Sequence, residues 1–431
     1  MPDLEYDIIV AGGGTAGSAA AVAAARRGCR VLLIEEQNCL GGISTSGGVG
    51  EWFASLEGMG DIFDATVSEL GRFGVRYDMP RYFNPEYLKA VWQLLAEGAG
   101  VDILFHASLC DVTEDGGALS AARIACCSQE LTAKAGFFID ATGDGDLAAL
   151  AGAEFMQGDP EGGRVLHMTL TAWLYDTGAA QVPYLPEGLM PITSREELPG
   201  LGTGRLVDDG RIYLNATKVM GHDPTNPFSL SAAEREARRQ LIRIVHYMQA
   251  GNFPTYALAS SGAAIGIREG RRIVGDYVLS SDEVVDRAES LDFEDGIAVA
   301  TSQIDFHSLT KPGDSGWRQR LEPYSIPFRC LLPKGFTNLL AAGRCISTDQ
   351  VVHSSCRMTP TCCAMGQAAG TAAALAVEAG AGNIRDVPVS TIRTALAAGG
   401  VELDPAKHKP FAPQSTRLDS DDMAAGGAPS E

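Results

Sequence analysis

Positive charge is scarce in this chain: 34 Lys and Arg stand against 54 Asp and Glu in 431 residues, a formal charge of −20. Such a surface repels a nucleic-acid backbone and an anionic membrane alike, so neither is an expected partner. No apolar stretch reaches bilayer length, because the alanine-rich run after Gly17 is broken by Arg26 and Arg27. A basic start, apolar run and small-residue cleavage site are also missing near Met1, so the expected location is cytoplasmic. The ten cysteines form no C-x-x-C, which removes the usual zinc and dithiol spacings. They read as apolar fillers, including the adjacent pairs Cys126–Cys127 and Cys362–Cys363. There is no internal repeat, and a homo-oligomer is compatible with this composition. With 45% apolar residues it can bury a large core, divided between two lobes.

What is present begins with "YDIIVAGGGTAG". Ile8 to Ala11 predicts a strand, Gly12, Gly14 and Gly17 supply G-x-G-x-x-G around Thr15 and Ala16, and an alanine-rich helix follows to Arg27, stopped by Gly28. A second strand, Arg30 to Ile34, runs into Glu35 and Glu36. This order suits an adenine dinucleotide: a tight turn, a close backbone approach to a diphosphate, and an acid for the ribose diol. The carboxylate at 35 disfavours a 2′-phosphate. NAD and FAD both satisfy the pattern so far. The next loop, with Gly41, Gly42, Ser44, Thr45, Gly47 and Gly48, is long and small enough to lie along an extended cofactor, which points to FAD.

Residues 84–98 predict an amphipathic helix opened by a proline, and 101–127 predict strands of a small sheet. Phe137 to Ile139 reads as a buried strand, followed at Ala141, Thr142 and Gly143 by a bend slim enough to pass a bound dinucleotide. Asp144 and Asp146 read as the cap of a helix over 147–152. Residues 155–230 change character and read as a substrate-side lobe. A helix is expected over 231–250 with Ser231 and Glu234 as a capping box and its arginines on a solvated face. The polar segment after Leu403 reads as a disordered tail.

Near the far end, a strand over Asn338 to Ala342 meets Gly343 and Arg344, and a small-residue helix is expected to start near Thr361 as its N-cap. Such a return element suits a flavin, whose reduced ring carries negative charge that a helix N-terminus stabilises. The chain here resembles the FAD-dependent oxidoreductases of the two-dinucleotide-binding-domain type. The resemblance rests on "GIREGRRIVGDYVL" (266–279), "IPFRCLLP" (326–333), "NLLAAGR" (338–344) and "MGQAAGTAA" (365–373), together with the first glycine turn and "IDATGDGD".

It implies an α/β protein whose Rossmann-like, glutathione-reductase-type FAD domain has a parallel sheet and a small β-meander. That domain would be formed by residues 1–154 and 320–402, around an inserted α+β substrate domain at 155–319, with a tail at 403–431. Carried over by motif, Gly12, Gly14, Thr15, Ala16, Gly17, Glu35, Glu36, Gly42, Ser44, Thr45, Thr142, Gly143, Gly343, Arg344, Gly366 and Gly370 would line FAD. Many flavoproteins have Gly-Asp where this chain has Gly343-Arg344, so the ribityl contact would fall to backbone or Ser347. The 39–50 loop has no histidine for a covalent link, so non-covalent FAD is expected.

Hydride removal needs a base for the accompanying proton. His353, His307, Arg357, Arg268 and Tyr324 are the candidates, being the polar groups in or beside the flavin-side segments. Arg268 and Arg272, four apart, read as one helical face that either anchors a carboxylate or forms ordinary ion pairs. The resulting expectation is an FAD enzyme that oxidises a small polar molecule (alcohol, amine or C–C bond) by hydride transfer to flavin N5 and passes electrons to O2 or another acceptor. The alternatives are fumarate-reductase-like reduction of an unsaturated acid, and a thiazole-synthase-like biosynthetic protein that binds FAD or an adenylate. A second NAD(P)H fingerprint is absent, which disfavours a monooxygenase.

Overall fold

Ile8–Ala11 is apolar on both faces because it is the middle strand of a parallel sheet covered on both sides. The computed structural model describes residues 4–73, 82–200, 204–206, 210–310 and 316–411. The five strands lie in the order Leu339–Ala341, Phe137–Asp140, Ile8–Ala11, Val31–Ile34, Asp102–Leu104. Ala11 pairs with Ile34 on one side and Asp140 on the other, all strands running parallel. The chain winds outward from the centre through Val31–Ile34 and Asp102–Leu104, then crosses to Phe137–Asp140. That reversal opens a crevice at the carboxyl end of Ile8–Ala11, where open α/β sheets bind ligands.

One face of the sheet is covered by the helices Thr15–Arg26 and Thr359–Ala379, which pack through alanines of both. Their approach requires glycine: a Cβ on Gly366 or Gly370 would overlap the carbonyls of Ala16 and Ala20. These two glycines therefore serve helix packing and are not on the cavity wall described below. The expected meander is present as Ala107–Asp115, Ala118–Cys126 and Gln129–Lys134, with Leu4–Glu5 alongside. A second, antiparallel sheet of Gly204–Leu206, Ile212–Leu214, Ala172–Asp176 and Tyr256–Ser261 packs its own core under the helix Pro227–Ala250. The α/β architecture with a Rossmann-like sheet and an α+β insertion is thus the observed one.

Several local expectations are corrected. The 231–250 helix starts earlier, at Pro227, because Asn226 caps it by accepting from the Phe228 and Ser229 amides. Glu234 instead accepts from the Ile265 amide and pairs with Arg238. The helix placed near Thr361 starts at Thr359, with Met358 at its cap and Thr361 buried. The helix after Gly145 spans Asp146–Leu150, and its first amide is held by the Thr142 hydroxyl instead of an aspartate. Arg268 and Arg272 share no helix, since Arg271–Ile273 is a strand paired with Phe155–Gln157.

Of the expected tail, residues 403–411 are ordered, with Leu403 and Pro405 buried and the Phe411 amide bonded to the Thr301 carbonyl; the rest lies outside the described residues. The cysteines are all unpaired and seven are buried, but Cys110 and Cys127 are exposed, so the filler reading does not extend to them. Among the described residues no helix is long and apolar enough to cross a membrane.

Candidate active site

A cavity of about 870 Å³ starts at the crevice and runs from the first glycine turn to the second sheet, within the size range of cofactor and substrate sites. Its end at the first glycine turn is formed by Gly12, Gly14, Thr15, Ala16, Glu35 and Glu36. Gly17, although part of the same fingerprint, is not on the wall; a Cβ there would overlap the Gly12 carbonyl, so its role is to seat the helix against the turn. The helix begins with no side-chain cap, which leaves its first amides facing the cavity. The Glu35 carboxylate is buried and accepts from the Gly13 amide (2.6 Å) and the Gln37 amide (2.7 Å). Burial raises its pKa while these bonds oppose the rise.

The middle of the wall is Thr142, Gly143, Gly343 and Arg344, while Gly42 lies beside Gly14 at the glycine turn. Thr142 donates its hydroxyl to Asp140 (2.8 Å) and accepts from the Asp146 amide (2.8 Å), so its side chain is already committed. Asp140 is fully buried and its pKa is pushed up to about 6 by that burial, against bonds from Ala148 and Thr142. Arg344 is paired with Asp144 at 2.6 Å, and both line the cavity. Ser347, expected as a substitute for the carboxylate missing beside Gly343, is buried off the wall and bonded to the Gly275 amide. Ser44 and Thr45 are also off the wall; Thr45 donates to the Leu40 carbonyl and tightens the loop.

Beyond this the wall becomes polar. His307 Nε2 donates to Asp305 Oδ2 at 3.0 Å, and Asp305 also holds Arg357 (3.1 Å) and Arg318 (3.1 Å). The His167 ring meets His307 edge-on, centroids 4.5 Å apart. Arg268 bonds the His167 carbonyl (3.1 Å), the Thr169 hydroxyl (2.5 Å) and, more loosely, Asn215. On this wall two buried imidazole nitrogens, His307 Nδ1 and His167 Nε2, have no partner among the described residues.

Burial pushes His307 down to about 4 and His167 well below the usual histidine range. Burial alone would raise Asp305, yet His307, Arg357 and Arg318 hold it well below the carboxylate range. At neutral pH the pair is thus a carboxylate and a neutral imidazole, whose Nε2 proton points at Asp305 and whose Nδ1 lone pair is free.

Two candidates fall outside the cavity. His353 is fully buried and donates Nε2 to the Arg268 carbonyl at 2.9 Å. Tyr324 is buried with its hydroxyl on Ser355. Both brace the wall from behind. Of the three arginines of "GIREGRRI", Arg268 and Arg271 reach the cavity, together with Gly266 and Ile267. Arg272 forms an ion pair with Glu269, both almost completely buried. Glu269 accepts further bonds from the Leu166 amide and Gln350, while Arg272 reaches the Thr348 and Gly158 carbonyls. Replacing Arg272 by Met is expected to cost about 3–5 kcal/mol in chemical denaturation, because it strands a buried carboxylate.

The residues not anticipated are His167, Asn215, Lys218, Asp305 and Arg318, all on the wall. Asp305 had a signal: in the strand Ile304–Phe306 it stands two residues before His307, a spacing that keeps both on one face.

The histidines make an acid-side prediction. His307, His167 and His353 all titrate below the unfolded value of about 6.5, mainly through burial. The unfolded chain takes up protons first, so their contribution is complete above about pH 6.5 and is lost as pH falls, that of His307 toward about 4. Asp140, raised to about 6, and Glu35, also raised by burial, oppose this loss in part. Melting temperature should therefore drop between about pH 7 and about pH 5; an unchanged melt across that interval would contradict the assignment.

A family model described as "FAD dependent oxidoreductase" matches residues 7–396. No curated protein matches the chain. Similar solved structures include a geranylgeranyl bacteriochlorophyll reductase-like protein from Thermoplasma acidophilum, 11% identical over 94% of each chain with a TM-score of 0.45. The OxyS anhydrotetracycline hydroxylase from Streptomyces rimosus is 12% identical over 94% of this chain and 70% of its own, with a TM-score of 0.47. Thermovibrio ammonificans THI4 is 22% identical over 36% of this chain and 67% of its own, with a TM-score of 0.29.

Proposed function

Because the chain belongs to the FAD dependent oxidoreductase family, we propose that it oxidises a small polar molecule with His307 as the base and FAD, bound without a covalent link, as the oxidant. The observation that carries this reading is the Asp305–His307 pair, a neutral imidazole with an unpartnered Nδ1, both residues standing on the wall of the cavity that begins at the glycine turn.

The residues fit the cofactor. The uncapped first turn at Gly14, Thr15 and Ala16 would hold the diphosphate, and Glu35, with lone pairs remaining after its two amide bonds, would accept from the ribose diol. Asp144 and Arg344 would meet the ribityl chain. Met358 and Thr359, at the uncapped start of the return helix, are also on the wall and would face the ring. Cys39 is buried away from the cavity and its thiol pKa is raised by that burial, which agrees with non-covalent binding. When bound, FAD supplies two-electron oxidising power.

The protein's own part is orientation and proton transfer. Asp305 fixes the imidazole tautomer, and His307 Nδ1 takes the proton released from the substrate's O–H or N–H as its C–H bond is oxidised. His167, neutral and edge-on to His307, limits water access and holds the ring in place. Unpaired cysteines throughout suit a reducing compartment such as the cytoplasm.

The test is to mix the flavin-loaded protein, without oxygen, with small alcohols, amines and acids while following the flavin absorbance. Bleaching by one class, restored by O2 or an added acceptor, is the expected outcome. If nothing bleaches the protein but unsaturated acids reoxidise it after chemical reduction, the enzyme is instead a reductase.

A further inference from the structure

The polar end of the cavity carries more positive charge than it neutralises, in a protein whose net charge is −20. Asp305 is shared by two guanidiniums, Arg318 and Arg357, and by His307. Arg268 has only neutral acceptors: a carbonyl, a hydroxyl and an amide oxygen. Arg357 also keeps a buried Nε with no partner among the described residues. The largest charge influence on His167 is Arg268, while on His307 it is Asp305, opposed by Arg268 and Arg357. A buried guanidinium without a counterion is costly, and a ligand carboxylate with its matching planar geometry removes that cost.

We propose that the substrate is a small hydroxy acid, its carboxylate held by Arg268 and Arg357 and its hydroxyl aimed at His307 Nδ1. The inference rests on the function proposed above and names its substrate class. A hydroxyl is preferred to an amine because an ammonium group would enter a wall that is already cationic. In the reaction the carbinol C–H leaves as a hydride to the FAD cofactor, the O–H proton passes to His307, and C=O forms. The product is a keto acid, and the two electrons go on to O2 or another acceptor.

The test is calorimetric titration of the flavin-loaded protein with oxalate and with its uncharged analogue oxamide, alongside the flavin absorbance as a second readout. Oxalate should bind at least about tenfold more tightly than oxamide, and Arg268→Gln should weaken oxalate by about 30-fold or more without loss of flavin. His307→Gln should leave oxalate binding in place, so lost turnover in that variant bears only on the base. Equal affinity for oxalate and oxamide, or no heat from oxalate, overturns the anion site whatever Arg268→Gln does. So does an Arg268→Gln protein that binds oxalate like the wild type.

Discussion

Replacing His307 by Gln is expected to slow flavin reduction by the substrate about 10²- to 10⁴-fold, the usual worth of a positioned general base, with flavin content unchanged. The amide keeps a donor for Asp305 but has no basic nitrogen, so the loss isolates proton transfer from packing. The pH dependence adds a readout that a structural role would not move. His307 acts as a base when neutral, and its pKa in the free protein is about 4. Wild-type kcat/KM should therefore hold at neutral pH and fall on the acid side through about that value. This limb should vanish in the variant. After burial, the influences that depress His307 include Arg268 and Arg357. A bound carboxylate offsets both, so the acid limb of kcat should lie at higher pH than that of kcat/KM. Rapid mixing under anaerobic conditions measures the step directly. An unchanged bleaching rate in the variant would remove His307 from the mechanism.

The halves of the site differ in how far the sequence discloses them, and the reason is physical. The nucleotide end is built from contiguous backbone: Gly12 to Gly17 and Glu35 belong to one strand, turn, helix, strand unit, so spacing alone locates them. The polar end is assembled from side chains on separate segments, with His167 brought beside His307 and Asn215 beside Arg268 by the second sheet and its connections. No local periodicity encodes that meeting. "GIREGRRI" shows how spacing misleads: Arg268 and Arg272 stand four apart, yet the segment becomes a strand because Arg271–Ile273 pairs with Phe155–Gln157, more than one hundred positions away. His353 misleads differently. It is close in sequence to the return helix, but its imidazole is used to hold the Arg268 carbonyl. Proximity along the chain gave the right element and the wrong side of the wall.

Gly14→Asp should yield a folded, colourless protein. Gly14 has φ −60° and ψ 178°, which any L-residue adopts, and a Cβ built there meets nothing within 4 Å. It is also the cap residue of a helix without a side-chain cap. Aspartate is among the best residues at that position, so the flavin-free protein should be as stable as the wild type or a few tenths of a kcal/mol more so. The same carboxylate would occupy the amides that hold the diphosphate and place like charge beside it. Several kcal/mol of repulsion corresponds to at least about a 10³-fold loss of FAD affinity. Gly17→Ala gives the contrast: its Cβ overlaps the Gly12 carbonyl, so fold and flavin should be lost together. The ratio of flavin to protein absorbance and the melting of the flavin-free proteins separate the two cases. A yellow Gly14→Asp protein with a full complement of flavin would mean that the diphosphate is held elsewhere, and the glycine turn would then serve only to start the helix.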